Sequence, residues 1–171
     1  KQFINFGGWT LLGRTLQRIK DPIFDNPIIS TNMLYLKEVR KHLSKNKIYN
    51  YKIILEPYKK NTAPAILSCA LLEEISFSQP MIFFPADHLI DKIKQFNKKI
   101  NSSHRYLDDD SISIFGIKPK LPSSQYGYFL TEKISKNINK VTKFIEKPSL
   151  NKAKKIIEKK GLWNSGIVFA K

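Results

Sequence analysis

The sequence has 171 residues, about the length of one domain. Hydrophobic residues make up 42% and charged residues 26%, as in an ordinary globular protein rather than a disordered or collagen-like one. No apolar run approaches the ~20 residues that a membrane-spanning helix needs, and the first residues lack the pattern of a signal peptide. The single cysteine, Cys69, cannot form an internal disulfide or a structural zinc site, which favours a reducing, cytoplasmic setting.

The net charge of +16 raises the question of nucleic-acid binding. Only four basic residues are arginine, however, and the other 26 are lysine. Arginine recognises phosphates and bases with a planar pair of donors, whereas lysine is a strongly hydrated point charge. We therefore interpret the lysines mainly as a soluble surface typical of an A/T-rich genome. Steering of a small anionic substrate and nucleic-acid binding remain alternatives.

Strand and helix patterns alternate along the chain. Strands are predicted at 27–30, 52–55, 81–84, 111–117, 126–131, 140–145 and 164–170. Helices are predicted at 36–45, behind an N-cap at Thr62, at 89–100, and from Ser149 or Asn151 to a stop at Gly161. The alternation predicts an α/β fold with a mixed, mostly parallel sheet flanked by helices, in one domain over 1–171.

The helix behind Thr62 has Pro64 in its first turn, where proline is tolerated. Its apolar residues recur at spacings of three and four, which predicts one buried face. These residues are Ala63, Ile66, Leu67, Ala70, Leu71 and Ile75. Cys69, on the inner side of this helix, is expected to be a small core residue.

Asp87 follows the apolar strand 81–84, at the sheet end where α/β proteins bind ligands. A carboxylate there suits Mg²⁺, which takes one or two carboxylates plus substrate phosphates. By position alone, Asp87 could equally cap a helix that begins near Leu89. The neighbouring His88 is interpreted as a packing or hydrogen-bonding residue, and 108–110, the one acidic cluster, as a solvated loop.

Two other polar groups are weak signals when taken alone. Glu146-Lys147-Pro148 follows a strand, but a lone Glu-Lys pair is usually a surface ion pair that contributes little. Trp163-Asn164-Ser165-Gly166 would be an ordinary turn by composition. Their meaning comes from the order in which they occur with other segments.

An ordered series of short motifs extends over almost the whole chain. It consists of Lys1-Gln2-Phe3, Ile54-Leu55-Glu56-Pro57, Asn61-Thr62-Ala63-Pro64-Ala65, Pro85-Ala86-Asp87-His88, Gln125-Tyr126-Gly127-Tyr128, Phe144-Ile145-Glu146-Lys147-Pro148 and Trp163-Asn164-Ser165-Gly166. This series resembles the bacterial mannose-1-phosphate guanylyltransferases, also called GDP-mannose pyrophosphorylases.

The resemblance implies a Rossmann-like nucleotide-diphospho-sugar transferase fold and the formation of GDP-mannose and pyrophosphate from GTP and mannose 1-phosphate. The sugar phosphate would attack the α-phosphorus of GTP in line. Mg²⁺ and lysines would offset the charge, in agreement with catalysis by positioning and electrostatics. GTP and mannose 1-phosphate are then the expected partners; no nucleic acid or membrane is expected, and association of identical copies stays open.

The resemblance also assigns roles residue by residue. On the nucleotide side it assigns Lys1 near the triphosphate, the loop residues Asn61, Thr62, Ala63 and Pro64, and the metal ligand Asp87. On the sugar side it assigns Tyr126, Gly127, Glu146, Lys147, Asn164 and Gly166. Glu146 would accept hydrogen bonds from sugar hydroxyls and Lys147 would hold the sugar phosphate, so that Lys1, Asp87 and Lys147 form the expected catalytic set.

The chain departs from the family pattern at several points. Ser123-Ser124-Gln125 replaces the usual Glu-Thr-Gly before the Tyr-Gly pair, and Lys59-Lys60 replaces Gly-Arg. The family's glycine-rich phosphate loop precedes the segment that matches Lys1, and a second metal carboxylate follows the segment that matches Lys171. We therefore expect an interior fragment, incomplete at both ends and inactive by itself.

Three other functions stay open at this point. The first is a sister nucleotidyltransferase that uses UTP or dTTP with glucose 1-phosphate. The second is a non-catalytic regulatory paralogue that keeps the fold, and the third is nucleic-acid binding through the lysines, which would weaken steeply with salt.

Overall fold

The computed structural model describes residues 1–58, 61–135 and 138–171, which fold into two units. The first unit comprises Lys1–Ser111 with Ala170–Lys171, and the second comprises Ile112–Phe169. Within the described ranges, no helix is both long and apolar enough to cross a membrane.

The described part of the first unit contains five strands and four α-helices. The strands are β1 (Asn5–Phe6), β2 (Trp9–Thr10), β3 (Ile28–Asn32), β4 (Lys52–Glu56) and β5 (Met81–Phe83). The helices are α1 (Leu11–Arg18), α2 (Leu36–Lys45), α3 (Thr62–Ala70) and α4 (Ile93–Ser103), with 3₁₀ turns at Met33–Tyr35 and His104–Tyr106. β1 and β2 form an antiparallel hairpin, whereas β3 and β4 are parallel because α2 returns the chain between them.

The core of the first unit lies between α1 and α2. Leu12 and Leu16 of α1 pack with Val39 and Leu43 of α2, and all four are nearly inaccessible to solvent. α2 spans the predicted 36–45. The sequence patterns did not predict α1, whose first turn contains Gly13, a poor helix former; its N-cap is Thr10, whose Oγ1 accepts a 3.0 Å hydrogen bond from the Gly13 N–H.

α3 differs from its prediction in two respects. Thr62 is its first residue rather than its N-cap; the cap position is Asn61, which has φ 46° and makes no side-chain capping hydrogen bond. The predicted apolar face is not a core face, since Leu67 is 56% and Leu71 63% exposed, and the helix ends at Ala70, before Ile75. Apolar spacing predicted the helix correctly. It does not indicate whether another layer covers the apolar face.

Cys69 is the one residue of α3 that is fully buried, at 5% exposure. Burial raises the pKa of its thiol, the negative charge of Glu56 raises it further, and a hydrogen bond with Ser68 opposes both. Because the thiolate is the reactive form, we expect iodoacetamide to alkylate Cys69 at pH 8 at least about tenfold more slowly in the folded chain than in urea. Equal rates in the two states, measured by mass spectrometry, would contradict this burial.

The second unit consists of an antiparallel sheet and one helix. The strands are β6 (Ser113–Ile117), β7 (Tyr128–Lys133), β8 (Asn139–Ile145) and β9 (Leu162–Ala170), and the helix is α5 (Leu150–Glu158). β7 pairs with both β8 and β9, and β6 pairs with β9. The predicted hairpin of β7 and β8 is confirmed.

α5 covers one part of this sheet. Ala153 and Ile156 pack with Tyr128 and Ile145 in the core, as their spacing predicted. Ser149 is the N-cap, and its Oγ accepts a hydrogen bond from the Lys152 N–H. The helix ends at Glu158, and the left-handed residue after it is Lys160, with φ 60°, rather than Gly161.

The predicted α/β fold class is confirmed, with parallel and antiparallel strands flanked by helices. Among the strand pairs described within each unit, β3–β4 is parallel, and β1–β2, β6–β9, β7–β8 and β7–β9 are antiparallel. The short connections of β1–β2 and β7–β8 can join only antiparallel neighbours. The expectation of one domain over 1–171 stays a prediction.

Candidate functional site

Asp87 lies in a turn that follows β5 in the first unit, and its side chain is half-buried. Since α4 begins at Ile93, with Lys92 at the cap position, Asp87 does not cap a helix. No hydrogen bond or salt bridge occupies its carboxylate within the described part of the chain. The carboxylate is therefore available to a ligand, as the metal assignment requires.

Packing on both sides holds the turn that carries Asp87. Ala86 packs against the core between α1 and α2, and the ring of Phe84 lies beneath the Arg18 guanidinium, 5.4 Å from its Cζ. Burial lowers the pKa of His88, the neighbouring Asp87 raises it and Arg18 lowers it. The overall lowering of the His88 pKa favours its neutral form.

Arg18 is a feature that sequence analysis missed. It is only 2% exposed, it stacks between Phe84 and Phe96, and its Nη2 donates to Thr15 Oγ1 at 3.1 Å. Burial lowers the pKa of Arg18 to about 10. The only signal available in the sequence was its position beside the apolar residues of α1.

The other nucleotide-side residues lie on the surface of the first unit. Lys1 is exposed, and its carbonyl accepts a 2.9 Å hydrogen bond from the Ile4 N–H. Residues 61–64 are exposed at the start of α3, where backbone N–H groups of the first turn have no side-chain cap. No hydrogen bond or salt bridge among the described residues joins Lys1, this turn and Asp87 to one another, and Lys59 and Lys60 lie outside the described residues.

In the second unit the sugar-side residues meet at the adjoining ends of β7, β8 and β9. The Asn164 N–H donates to the Gly127 carbonyl at 2.8 Å, and Asn164 Oδ1 accepts from the Gly166 N–H at 2.9 Å. Gly166 has φ 70°, a conformation that glycine adopts without strain. Trp163-Asn164-Ser165-Gly166 is therefore part of strand β9 and not the turn its composition suggested.

Glu146 lies directly beside Gly127. In the pairing of β7 with β8, Tyr128 is opposite Ile145, and Gly127 and Glu146 are the next residues beyond this terminal pair. A Cβ on Gly127 would lie 2.7 Å from Glu146 Oε2, so a side chain there would displace the carboxylate. Lys147 Nζ is 3.8 Å from Glu146 Oε1, and both side chains are exposed, so this ion pair contributes little stability.

Tyr128 and Trp163 are two aromatic residues of the same region to which the sequence analysis gave no role. The rings of Tyr126 and Trp163 are 5.0 Å apart between centroids, and Tyr128 makes an edge contact with Trp163 at 6.4 Å. Trp163 Nε1 is buried and has no hydrogen-bond partner among the described residues. The resemblance predicted Tyr126, whereas Tyr128 and Trp163 stood in the motifs only as neighbours.

Gly127→Ala is expected to weaken sugar 1-phosphate binding rather than folding. The new Cβ would meet Glu146 Oε2 and Phe144 Cζ, which are ends of side chains that can move aside. If the motif resemblance holds, we expect the KM for the sugar 1-phosphate to rise about tenfold in the full-length natural protein, the scale for disturbing a charged hydrogen bond. By contrast, Gly116→Ala would press on Leu162 and Phe129 and lower the melting temperature. An unchanged sugar KM in Gly127→Ala would show that Glu146 does not contact the sugar.

Comparison with known proteins decides the family. The family model described as nucleotidyl transferase matches residues 1–170. The chain belongs to the nucleotidyl transferase family. The match to the family model covers both units. The names of the curated relatives confirm the resemblance inferred from the motifs.

Curated relatives align with 98% of the chain, and two of them represent the set. One is mannose-1-phosphate guanylyltransferase of Escherichia coli, 34% identical over 180 residues, and the other is alginate biosynthesis protein AlgA of Pseudomonas fluorescens, 30% identical over 173 residues. The chain spans 38% of the first protein and 36% of the second. The activity of the whole protein is therefore stated as a proposal.

Solved structures agree on the fold. A crystal structure described as mannose-6-phosphate isomerase from Helicobacter pylori has a TM-score of 0.84 and 29% identity, and covers 99% of this chain and 65% of that chain. UDP-glucose pyrophosphorylase in complex with UDP-glucose has a TM-score of 0.71 at 16% identity, with coverage of 99% and 67%. The similarity to UDP-glucose pyrophosphorylase concerns the fold alone.

Proposed function

We propose that this chain belongs to a mannose-1-phosphate guanylyltransferase, which makes GDP-mannose and pyrophosphate from GTP and mannose 1-phosphate. The observation that carries the proposal is the convergence of Gly127, Glu146 and Asn164 at one end of the sheet in the second unit. A main-chain carbonyl, a carboxylate and an amide in close proximity suit a sugar with several hydroxyl groups. The curated relatives that carry this name support the choice of substrate.

The reaction exchanges one phosphorus–oxygen bond for another. A phosphate oxygen of mannose 1-phosphate forms a bond to the α-phosphorus of GTP, the bond from that phosphorus to the bridging oxygen breaks, and pyrophosphate leaves with the electron pair. No proton has to be abstracted from an ionised sugar phosphate, so catalysis depends on orientation and charge. Lys147 would hold the attacking phosphate, Glu146 would orient the sugar, and Lys1 would offset charge on the triphosphate.

Asp87 fits the role of a metal ligand. Among the described residues no group of three His, Cys, Asp or Glu side chains could enclose a metal ion. A single accessible carboxylate, with substrate phosphates and waters as the remaining ligands, is nonetheless a usual arrangement for Mg²⁺. Asp87 would hold Mg²⁺ against the triphosphate, where the ion would neutralise part of the negative charge.

Substrate choice tests the proposal most directly. The full-length natural protein is incubated with GTP, UTP or dTTP, each with mannose 1-phosphate or glucose 1-phosphate, and pyrophosphate release is measured. We expect the highest kcat/KM with GTP and mannose 1-phosphate. A preference for UTP or dTTP with glucose 1-phosphate would replace the proposal with a sister nucleotidyltransferase, and no release from any pair would favour a regulatory paralogue.

A further inference from the structure

The segment of residues 123–127, called here the 123–127 loop, carries the sugar-side residues Tyr126 and Gly127 into β7. The loop departs from the family pattern at Ser123-Ser124-Gln125, so the usual side chains cannot be what holds it. Its far end is fixed where the Gly127 carbonyl accepts from the Asn164 N–H at 2.8 Å. A separate contact must hold the other end of the loop, at Ser123.

A single hydroxyl group holds the near end. The Ser123 N–H donates to Tyr128 Oη at 2.9 Å, and the same hydroxyl donates to the Ser123 carbonyl at 3.0 Å. Both backbone groups of Ser123 are thus paired with one side-chain atom five residues further along the chain. A hydroxyl can donate and accept at once, so this contact uses both of its capacities.

The contact is rigid because Tyr128 is anchored in the core. Tyr128 is 0% exposed and packs with Ala153, Ile156 and Ile145. Its ring also makes a T-shaped contact with Trp163, and the Tyr126 ring packs against the same tryptophan at a tilt of 55°. The ring of Tyr128 therefore belongs to the core, while its hydroxyl belongs to the loop.

We propose that the Tyr128 hydroxyl holds the 123–127 loop in the conformation that binds the sugar 1-phosphate, which makes Tyr128 a positioning residue. The inference rests on the proposed function, since it assigns Tyr126 and Gly127 to the sugar side. It goes further by naming the group on which their placement depends. Because the bonds are to main-chain atoms, they are independent of the side chains at 123–125.

Tyr128→Phe separates the two parts of this side chain. Phenylalanine keeps the ring in the core and removes only the hydroxyl, leaving the N–H and carbonyl of Ser123 without their partner. In the full-length natural protein we expect the KM for mannose 1-phosphate to rise about tenfold, while the KM for GTP changes less than about twofold. Hydrogen exchange at the Ser123 amide should become about tenfold faster.

Two further variants complete the experiment. Tyr49→Phe makes the same chemical change at a tyrosine that is 74% exposed in the first unit, and should alter neither KM nor the exchange at Ser123. Ser123→Ala removes only the Oγ that accepts from the Gln125 N–H, so its effect on the sugar KM should be at least about threefold smaller than that of Tyr128→Phe.

The outcomes are distinguishable. If Tyr128→Phe raises both KM values equally, or lowers the melting temperature with the KM ratio unchanged, the hydroxyl is merely structural and the inference is wrong, while the proposed function stands. If the wild-type protein prefers another nucleotide and sugar, the proposed function is wrong, and the inference is supported or rejected by the KM for that sugar 1-phosphate. If the wild-type protein transfers no nucleotide, both are overturned.

Discussion

Asp87→Asn is expected to lower the turnover of the full-length natural protein by about 10²–10³, the scale for losing one preorganised electrostatic contact. Asparagine keeps the size of the side chain but removes the negative charge that a hard cation requires. Because the Asp87 carboxylate makes no salt bridge among the described residues, its loss should leave folding intact. The measurement is kcat at saturating Mg²⁺, GTP and mannose 1-phosphate, with the melting temperature recorded in parallel.

Asp91→Asn is a matched control for this experiment. Asp91 lies four residues further along the same connection and is exposed, so its replacement should leave kcat unchanged. Near-normal turnover of Asp87→Asn under these conditions would refute the assignment of Asp87 as the metal ligand. An equal loss in both variants would point to a general effect of charge on this surface.

Removing the charge of Lys147 is expected to reduce kcat/KM for mannose 1-phosphate by about 10–100-fold, the value of a hydrogen bond to a charged group. Lys147→Met keeps most of the apolar stem and removes the ammonium group. Lys143→Met, at an exposed position of β8, is the control and should have little effect. A kcat/KM for Lys147→Met within about twofold of the wild-type value would exclude contact with the sugar phosphate.

Lys147 also offers a second variant that separates activity from stability. Its φ of 40° lies in the left-handed region, which costs a non-glycine residue about 1–2 kcal/mol. Lys147→Gly should therefore be about 1 kcal/mol more stable than Lys147→Met in urea unfolding, yet equally impaired in catalysis. A residue kept at the expense of backbone strain is consistent with a functional role.

The sequence predicted those elements whose pattern is local. α2 follows from a polar run with helical tendency, the β7–β8 hairpin from two neighbouring strand patterns, and Ser149, one of the two expected starts, caps α5. The exposed face of α3 could not be predicted, because apolar spacing indicates which residues share a face but not whether another layer covers it. The hairpin of β1 and β2 leaves almost no pattern, since each strand has only two residues.

For the candidate site, motif order predicted which residues belong to the sugar side, and strand pairing brings Gly127 beside Glu146. Arg18 and Tyr128 could not be found in this way. Arg18 stacks on two phenylalanine rings far from it in sequence, and Tyr128 bonds to a main-chain N–H and carbonyl, which every residue type except proline carries. Neither contact leaves a local pattern in the sequence around the residue that makes it.

The hydrogen bonds from Tyr128 to the backbone of Ser123 have an evolutionary consequence. A loop that is held by hydrogen bonds to its peptide groups can keep its conformation when single mutations change its side chains. Related chains can thus differ at positions 123–125 while the conformation of the loop is inherited unchanged. The mutations that such lineages tolerate least should fall at the buried tyrosine, which makes no direct contact with a ligand in this scheme.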